Sequence, residues 1–264
     1  MTSQSIPFVK AEACGNDFLI IESSYMGSEP AALSRRLCDR HVGVGADGVE
    51  WVTLEPAAGV RARLFNADGS EAEISGNGTR CVAAWAVDTR GGSEVRVLTG
   101  AGEKECTLLG RSDNEFEFMV EMGHAEVLGN KTIAIRNETV NGLAISTGNP
   151  HFVEFVDDFP ATWQARASAV AASPEFPHGT NVELVRVLGR NQIEFRIFER
   201  GAGETKSSGT GSCASVIAAI HAGMATSPVE AYAPGGKQVV HWDGGDALVL
   251  EGPARLICRG EFLL

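Results

Sequence analysis

Two short stretches carry residue types that could do chemistry. One reads Ser75-Gly76-Asn77-Gly78, the other Ser208-Gly209-Thr210-Gly211. Each is followed by an apolar run with helical spacing, Thr79–Thr89 and Ser212–Ala225. Helix N-termini leave N–H groups unpaired and carry partial positive charge. Glycine lets a ligand approach that backbone closely. Each stretch is therefore suited to an anion such as a carboxylate. A serine at such a place is also a preferred N-cap, and for a single loop that role would suffice. Two such loops suggest more. With one hydroxyl on each face of the carbon beside a bound carboxylate, one group can remove a proton and the other deliver one, which inverts the centre. The helix ends would stabilise the charge that spreads onto the carboxylate.

The elements that position these loops are duplicated. Shifting the chain by 133 residues places Gly15-Asn16 on Gly148-Asn149 and Gly48-Val49-Glu50 on Asn181-Val182-Glu183. The same shift places Arg63-Leu64-Phe65 on Arg196-Ile197-Phe198, and Ser75-Gly76 with Gly78 on Ser208-Gly209 with Gly211. A single offset near half the chain points to a repeated domain. Strands are expected at Phe18–Glu22, Val60–Phe65, Glu94–Leu98 and Glu115–Glu121, then at Ala144–Thr147, Val182–Val187, Ile193–Phe198, Gln238–Trp242 and Ala247–Leu250. Further helices are expected at Ala31–Arg40 and Trp163–Ala172. Strands in runs with few helices imply an α+β fold, duplicated and pseudo-symmetric, each half a mainly antiparallel sheet around a central helix. The expected halves are residues 1–130 and 131–264, with the last strand crossing back. Gly129-Asn130 reads as a break in periodicity where they meet.

The remaining composition narrows the classes of function. Apolar residues form 44% of the 264, enough for a substantial core, and the formal charge is −12. That charge argues against nucleic acid, whose affinity rests on Lys and Arg meeting phosphates, and against an anionic membrane surface. No apolar run is long enough to span a bilayer. The six cysteines are scattered, with no C-x-x-C pair and no zinc-like His spacing, and read as reduced thiols. Met1 to Lys10 lack a basic region followed by a long apolar run, so no secretory signal is expected, and the cytoplasm is the expected location. No pyridoxal site and no metal site is evident, so an acid–base pair without a cofactor is the simplest reading.

Five motifs then resemble one family. They are G-N-D-F at 15–18, F-N-A-D-G-S at 65–70, S-G-N-G-T-R-C at 75–81, G-N-P-H at 148–151, and E-R-G-A-G-E-T at 199–205 with S-G-T-G at 208–211. In this order, and with the closing G-P-A at 252–254, they look like diaminopimelate epimerase along nearly the whole chain. The resemblance implies two α/β halves around central helices, a homodimer, no cofactor, and interconversion of LL- and meso-diaminopimelate for lysine and peptidoglycan synthesis. It implies that Asn16, Asn66, Asn149, Asn181 and Arg200 hold the distal amino-acid end of the substrate. Gly76-Asn77 and Gly209-Thr210 would hold the reacting carboxylate through backbone N–H groups. Glu199 and His151 would stand near the reacting amine and the catalytic pair. An Arg fork suits a carboxylate, and amide and carboxylate oxygens suit an ammonium.

The chain departs from the family at the catalytic pair, where cysteine is expected at both positions and Ser75 and Ser208 stand instead. Thiols have a reference pKa near 8.5, lowered at helix N-termini. A hydroxyl is a far weaker acid. Cys81 and Cys213 lie on the helices beyond the loops and read as core, while Cys14 precedes Asn16. Four readings stay open: a working epimerase whose serines are aided by His151 or Glu199; a related isomerase or dehydratase; a diaminopimelate-binding protein without catalysis; and a chain whose thiols were replaced to trap a ligand.

Overall fold

The structure, a computed structural model, describes residues 5–136, 138–245 and 247–264. The chain divides into two compact units. One holds the described residues up to Val120 together with Gly252–Leu264, and the other holds Glu121–Glu251.

The first unit contains strands β1 (Ser5–Ala13), β2 (Asn16–Glu22), β3 (Gly48–Leu54), β4 (Gly59–Asn66), β5 (Glu71–Ala72), β6 (Glu94–Thr99), β7 (Gly102–Ser112) and β8 (Glu115–Gly123). Helix α1 (Pro30–Cys38) precedes β3, and helix α2 (Gly76–Arg90) precedes β6. Pairing is antiparallel except between β2 and β3 and between β4 and β6. The last strand, Leu248–Leu263, pairs with β1 through residues 255–263 and also pairs with β8, so the strands form a closed ring. Helix α2 touches β1, β2, β3, β4, β6 and β7 and buries every residue from Gly76 to Val87. A helix buried on all sides needs apolar or small residues all round, and Cys81, Val82, Ala83, Ala84 and Ala86 supply them. Outside the ring, α1 opens with Pro30 at its first turn and covers Leu19, Ile21, Val49 and Trp51 with Leu37. The indole N–H of Trp51 donates to Ser34 Oγ at 3.0 Å, which satisfies both groups in the core.

The second unit repeats this order with β9 (Glu126–Ile135), β10 (Glu138–Ser146), β11 (Pro150–Phe155), α3 (Trp163–Ala171), β12 (Asn181–Gly189), β13 (Gln192–Glu199), β14 (Gly203–Thr205), α4 (Gly209–His221), β15 (Val229–Ala233), β16 (Gly236–Trp242) and the first residues of β17 (Leu248–Leu263), the rest of which belongs to the first unit. Helix α4 touches β10, β11, β12, β13, β15 and β16 and is buried from Gly209 to Ala219. Helix α3 packs Trp163, Ala167 and Val170 over Phe152, Val182 and Leu184. The shift of 133 residues holds at the element boundaries: residues 5–13 and 138–146, 30–38 and 163–171, and 59–66 and 192–199 are matched elements. The duplicated α+β fold, with a mainly antiparallel sheet around a central helix in each half, is the fold that forms.

The structure departs from the sequence reading in local ways with physical causes. The glycine stretches are not loops before the helices but their first turns, so α2 starts at Gly76 and α4 at Gly209. Helix α4 ends at His221 rather than Ala225, because Gly223 takes φ +71° and the Met224 N–H turns back to Ala219 O at 2.9 Å. Gly129-Asn130 does not interrupt a strand. It lies within β9, where Ala144 faces Gly129 and Ile145 faces Val127, so the irregularity is a bulge with Gly129 at φ +103°. Strands β1, β3, β5, β7, β9, β11, β14 and β15 form where none was expected.

Candidate active site

In the first unit, Ser75 is the N-cap of α2. Its backbone is extended, and its Oγ accepts from Gly78 N at 3.1 Å. The Ser75 carbonyl accepts from both Thr79 N and Thr79 Oγ1 at 2.8 Å. One turn on, Arg80 is fully buried and braces this first turn. It donates to Asn77 Oδ1 at 2.7 Å, Gly76 O at 3.2 Å and Pro253 O at 3.0 Å. A fixed guanidinium behind the first turn adds to the positive end of the helix. Asn16 begins β2 and Asn66 ends β4, and Gly48 of β3 is aligned with both Phe18 and Asn66, so the two amides share one end of the sheet. Asn16 donates to Asp47 Oδ2 at 2.7 Å, and Asn66 to Ser70 Oγ at 3.0 Å.

In the second unit, Ser208 caps α4 in the same way and accepts from Gly211 N at 3.3 Å. Its hydroxyl lies 3.3 Å from Thr210 Oγ1, and Thr210 Oγ1 accepts from Asn149 Nδ2 at 3.4 Å. Asn149 Oδ1 accepts from Thr147 Oγ1 at 3.0 Å and faces His151 Nε2 at 2.9 Å, so Nε2 carries a proton. His151 Nδ1 meets Glu183 Oε1 at 2.6 Å, with both side chains fully buried. Burial raises Glu183 above the usual carboxylate range, and His151 opposes that rise. Glu199 is raised in the same way by burial, against hydrogen bonds from Thr205 Oγ1 at 2.6 Å and from Ser208. Seven expected site residues, Asn149, His151, Asn181, Glu199, Ser208, Gly209 and Thr210, thus lie around one helix end.

Arg200 follows Glu199 and is exposed. Its backbone N–H donates to Asn181 Oδ1 at 2.9 Å, and its guanidinium donates to His178 O at 3.3 Å. Among the described residues it has no carboxylate partner. Both ends of the Asn181 amide are engaged, by Arg200 N and by Pro150 O at 3.1 Å, so this side chain holds the Arg200 backbone. Cys81 and Cys213 are buried in the helices, and burial lifts the Cys81 thiol far above its usual range.

Sequence reasoning missed Glu50, Glu183 and Arg80. A signal was present for the two glutamates, since each interrupts an apolar strand at equivalent positions of the repeat. The Glu50 Oε1 atom would lie 2.2 Å from a Cβ placed on Gly78, and Glu183 Oε1 3.1 Å from one on Gly211. Each buried carboxyl therefore sits against the first turn of its helix, which explains a side-chain-free residue at that position. Among the described residues, no group of His, Cys, Asp and Glu is placed to hold a metal ion.

Known proteins resemble this chain along nearly its whole length. The family model described as "Diaminopimelate epimerase" matches residues 8–128 and 143–257. The diaminopimelate epimerase of Pelotomaculum thermopropionicum is 36% identical over 276 residues, covering 97% of this chain and 98% of its own. That of Corynebacterium aurimucosum is 39% identical over 277 residues, covering 96% and 98%. Among solved structures, a hydroxyproline epimerase from Agrobacterium vitis superposes with a TM-score of 0.73 at 13% identity, covering 99% of this chain and 92% of that one. A phenazine biosynthesis protein from Bacillus anthracis gives 0.72 at 17% identity, covering 99% and 100%. These two likenesses concern the fold alone. The match along the whole chain, at more than a third identity to these relatives, places this protein in the diaminopimelate epimerase family.

Proposed function

We propose that the chain interconverts LL- and meso-diaminopimelate, the reaction that supplies lysine and peptidoglycan synthesis. The observation that carries this reading is the pair of serine-capped helix ends, Ser75 and Ser208, at equivalent positions of the two halves and each backed by a buried carboxyl. In this mechanism Gly76-Asn77 and Gly209-Thr210 bind the reacting carboxylate and stabilise its charge as the α-proton leaves. One serine takes that proton and the other returns one to the opposite face. Glu199 and His151 stand by the amine. Arg200 binds the distal carboxylate, with Asn16, Asn66, Asn149 and Asn181 around the distal amino-acid group. An acid–base pair of this kind works without a cofactor. The family resemblance supports a homodimer acting in the cytoplasm.

Solvent deuterium wash-in at the α-carbon, followed by NMR, tests the reading. Exchange at one centre of diaminopimelate, accompanied by the other stereoisomer, is the expected result. Tight binding with no exchange over days would instead favour a diaminopimelate-binding protein, the reading that the missing thiols favour. Arg200 gives a second test, because its guanidinium has no carboxylate partner among the described residues. Arg200→Met should weaken diaminopimelate binding by about 2–5 kcal/mol, the range for truncating one partner of a buried charge pair. Equal calorimetric affinity of the native protein for alanine and diaminopimelate would reject this assignment.

A further inference from the structure

The two buried glutamates occupy equivalent positions but have unequal surroundings. Glu183 is paired in the sheet with Val153 and Ile197, and His151 satisfies one of its oxygens. Glu50 is paired with Ile20 and Leu64, both apolar. The residue that corresponds to His151 at the 133-residue shift is Phe18, so no histidine is available. Glu50 is 4% exposed, and among the described residues it receives no hydrogen bond and no ion pair. Burial alone pushes it up to about 8. A carboxyl left without a partner in a core is destabilising unless something uses it. It lines a small cavity together with Ser75, Glu73, Thr79 and Thr99, which gives it a polar outlet.

The geometry points to Glu50 as the proton acceptor and donor behind Ser75, exchanging a proton with the Ser75 hydroxyl across the cavity that both side chains line. This rests on the epimerase reading above and assigns it a further group. The step balances. As Ser75 Oγ takes the substrate α-proton, its own hydroxyl proton passes to the Glu50 carboxylate, directly or through one bridging water. Ser75 ends as a hydroxyl, Glu50 as a carboxylic acid and the substrate as a carbanion. In the reverse direction each proton retraces its route. A serine with such an acceptor never has to form a free alkoxide, which a thiol-based site has no need to avoid. The titratable groups that face Glu50 are Glu73, at the cavity, and the Cys81 thiol on α2. The Arg80 guanidinium is engaged with Gly76, Asn77 and Pro253.

The test is Glu50→Gln, which keeps shape and removes the proton. Deuterium wash-in from one stereoisomer should fall about 100-fold, the low end for a positioned acid or base. Diaminopimelate affinity should stay within about threefold, as expected for a group that acts on the proton and not on binding. The native rate should rise with pH through about 8, as the carboxylate forms, and the variant should lack that rise. In a Ser75→Cys background the same change should cost less than about fivefold, because a thiolate at a helix end needs no acceptor. Equal losses in both backgrounds, or no loss in the native one, overturn the proposal. A readout independent of substrate separates this from failure of the epimerase reading. In Ser75→Cys, thiolate absorbance should titrate about one pH unit lower once Glu50→Gln removes the neighbouring carboxylate. An unchanged thiol titration means that position 75 and Glu50 share no proton, whatever the substrate.

Discussion

Ser75→Cys combined with Ser208→Cys is expected to raise deuterium exchange and epimerisation by at least about 100-fold, the low end for a well-placed acid or base. Both positions already cap their helices with the side-chain oxygen aimed at a backbone N–H, from Gly78 at 3.1 Å and from Gly211 at 3.3 Å. A thiol placed there meets the same positive helix end, which lowers its pKa from near 8.5 toward neutrality. The first turn of α2 is braced by Arg80, and that of α4 is joined to the Asn149–His151 network. Binding geometry therefore needs no rebuilding, and only the acid–base strength changes. Each single change should restore less, because inversion needs a group on both faces. Cysteine is a poorer cap than serine, so each change should also cost about 1 kcal/mol of stability, visible as a lower urea midpoint. Kinetics of the two single variants and the double variant, measured in both directions, check the expectation. No gain from the double change would mean that the serines already exchange protons as fast as thiols would.

Much of this fold is legible in the sequence because its repeat is marked by residues with few substitutes. Ser-Gly-x-Gly at two places and an Arg-apolar-Phe triplet at two places share one offset, and that offset fixes the element boundaries of α1 and α3 and of β4 and β13. What was not legible is where charge is tolerated inside the sheets. Strand β3 reads as an interrupted apolar run because Glu50 stands in its middle, yet its first five residues are all buried. Strand β11 opens on Pro150 and contains Glu154, whose charge is met by Arg166 from α3 at 2.5 Å, a contact between elements that no local pattern reveals. Within the candidate site, motifs identified the serines and the asparagines. The unequal surroundings of Glu50 and Glu183 follow from Phe18 and His151 occupying matched positions, so they emerge only once the sheet register is known.

The same carboxyl gives the second large effect, on stability. Burial holds Glu50 at about 8 in the folded chain, against 4.5 for the free side chain. Its folded value is therefore raised, so its contribution to stability is fully present below pH 4.5 and is lost as pH rises toward 8. Between these values the unfolded chain releases the proton and the folded chain keeps it, at about 1.4 kcal/mol per pH unit. Over the whole window the loss is of order 3–5 kcal/mol, a large part of the 5–15 kcal/mol typical of a domain. Glu50→Gln abolishes this titration but leaves a buried amide without partners, which costs about 1–3 kcal/mol at every pH. The variant should therefore be no more stable than the native protein at pH 5 and clearly more stable at pH 8. Other carboxylates titrate alike in both proteins and cancel in the difference. Urea unfolding at several values between pH 5 and 9 gives the curve, and a difference that stays flat with pH would refute the buried, unpartnered carboxyl. If Glu50 also serves Ser75, the upper bend of this stability curve, where the loss levels off, should coincide with the midpoint of the rate profile near pH 8, since both report the proton held by the folded chain. A group that weakens the fold at the pH where it assists its neighbour is what a functional site, rather than a packing defect, would contain.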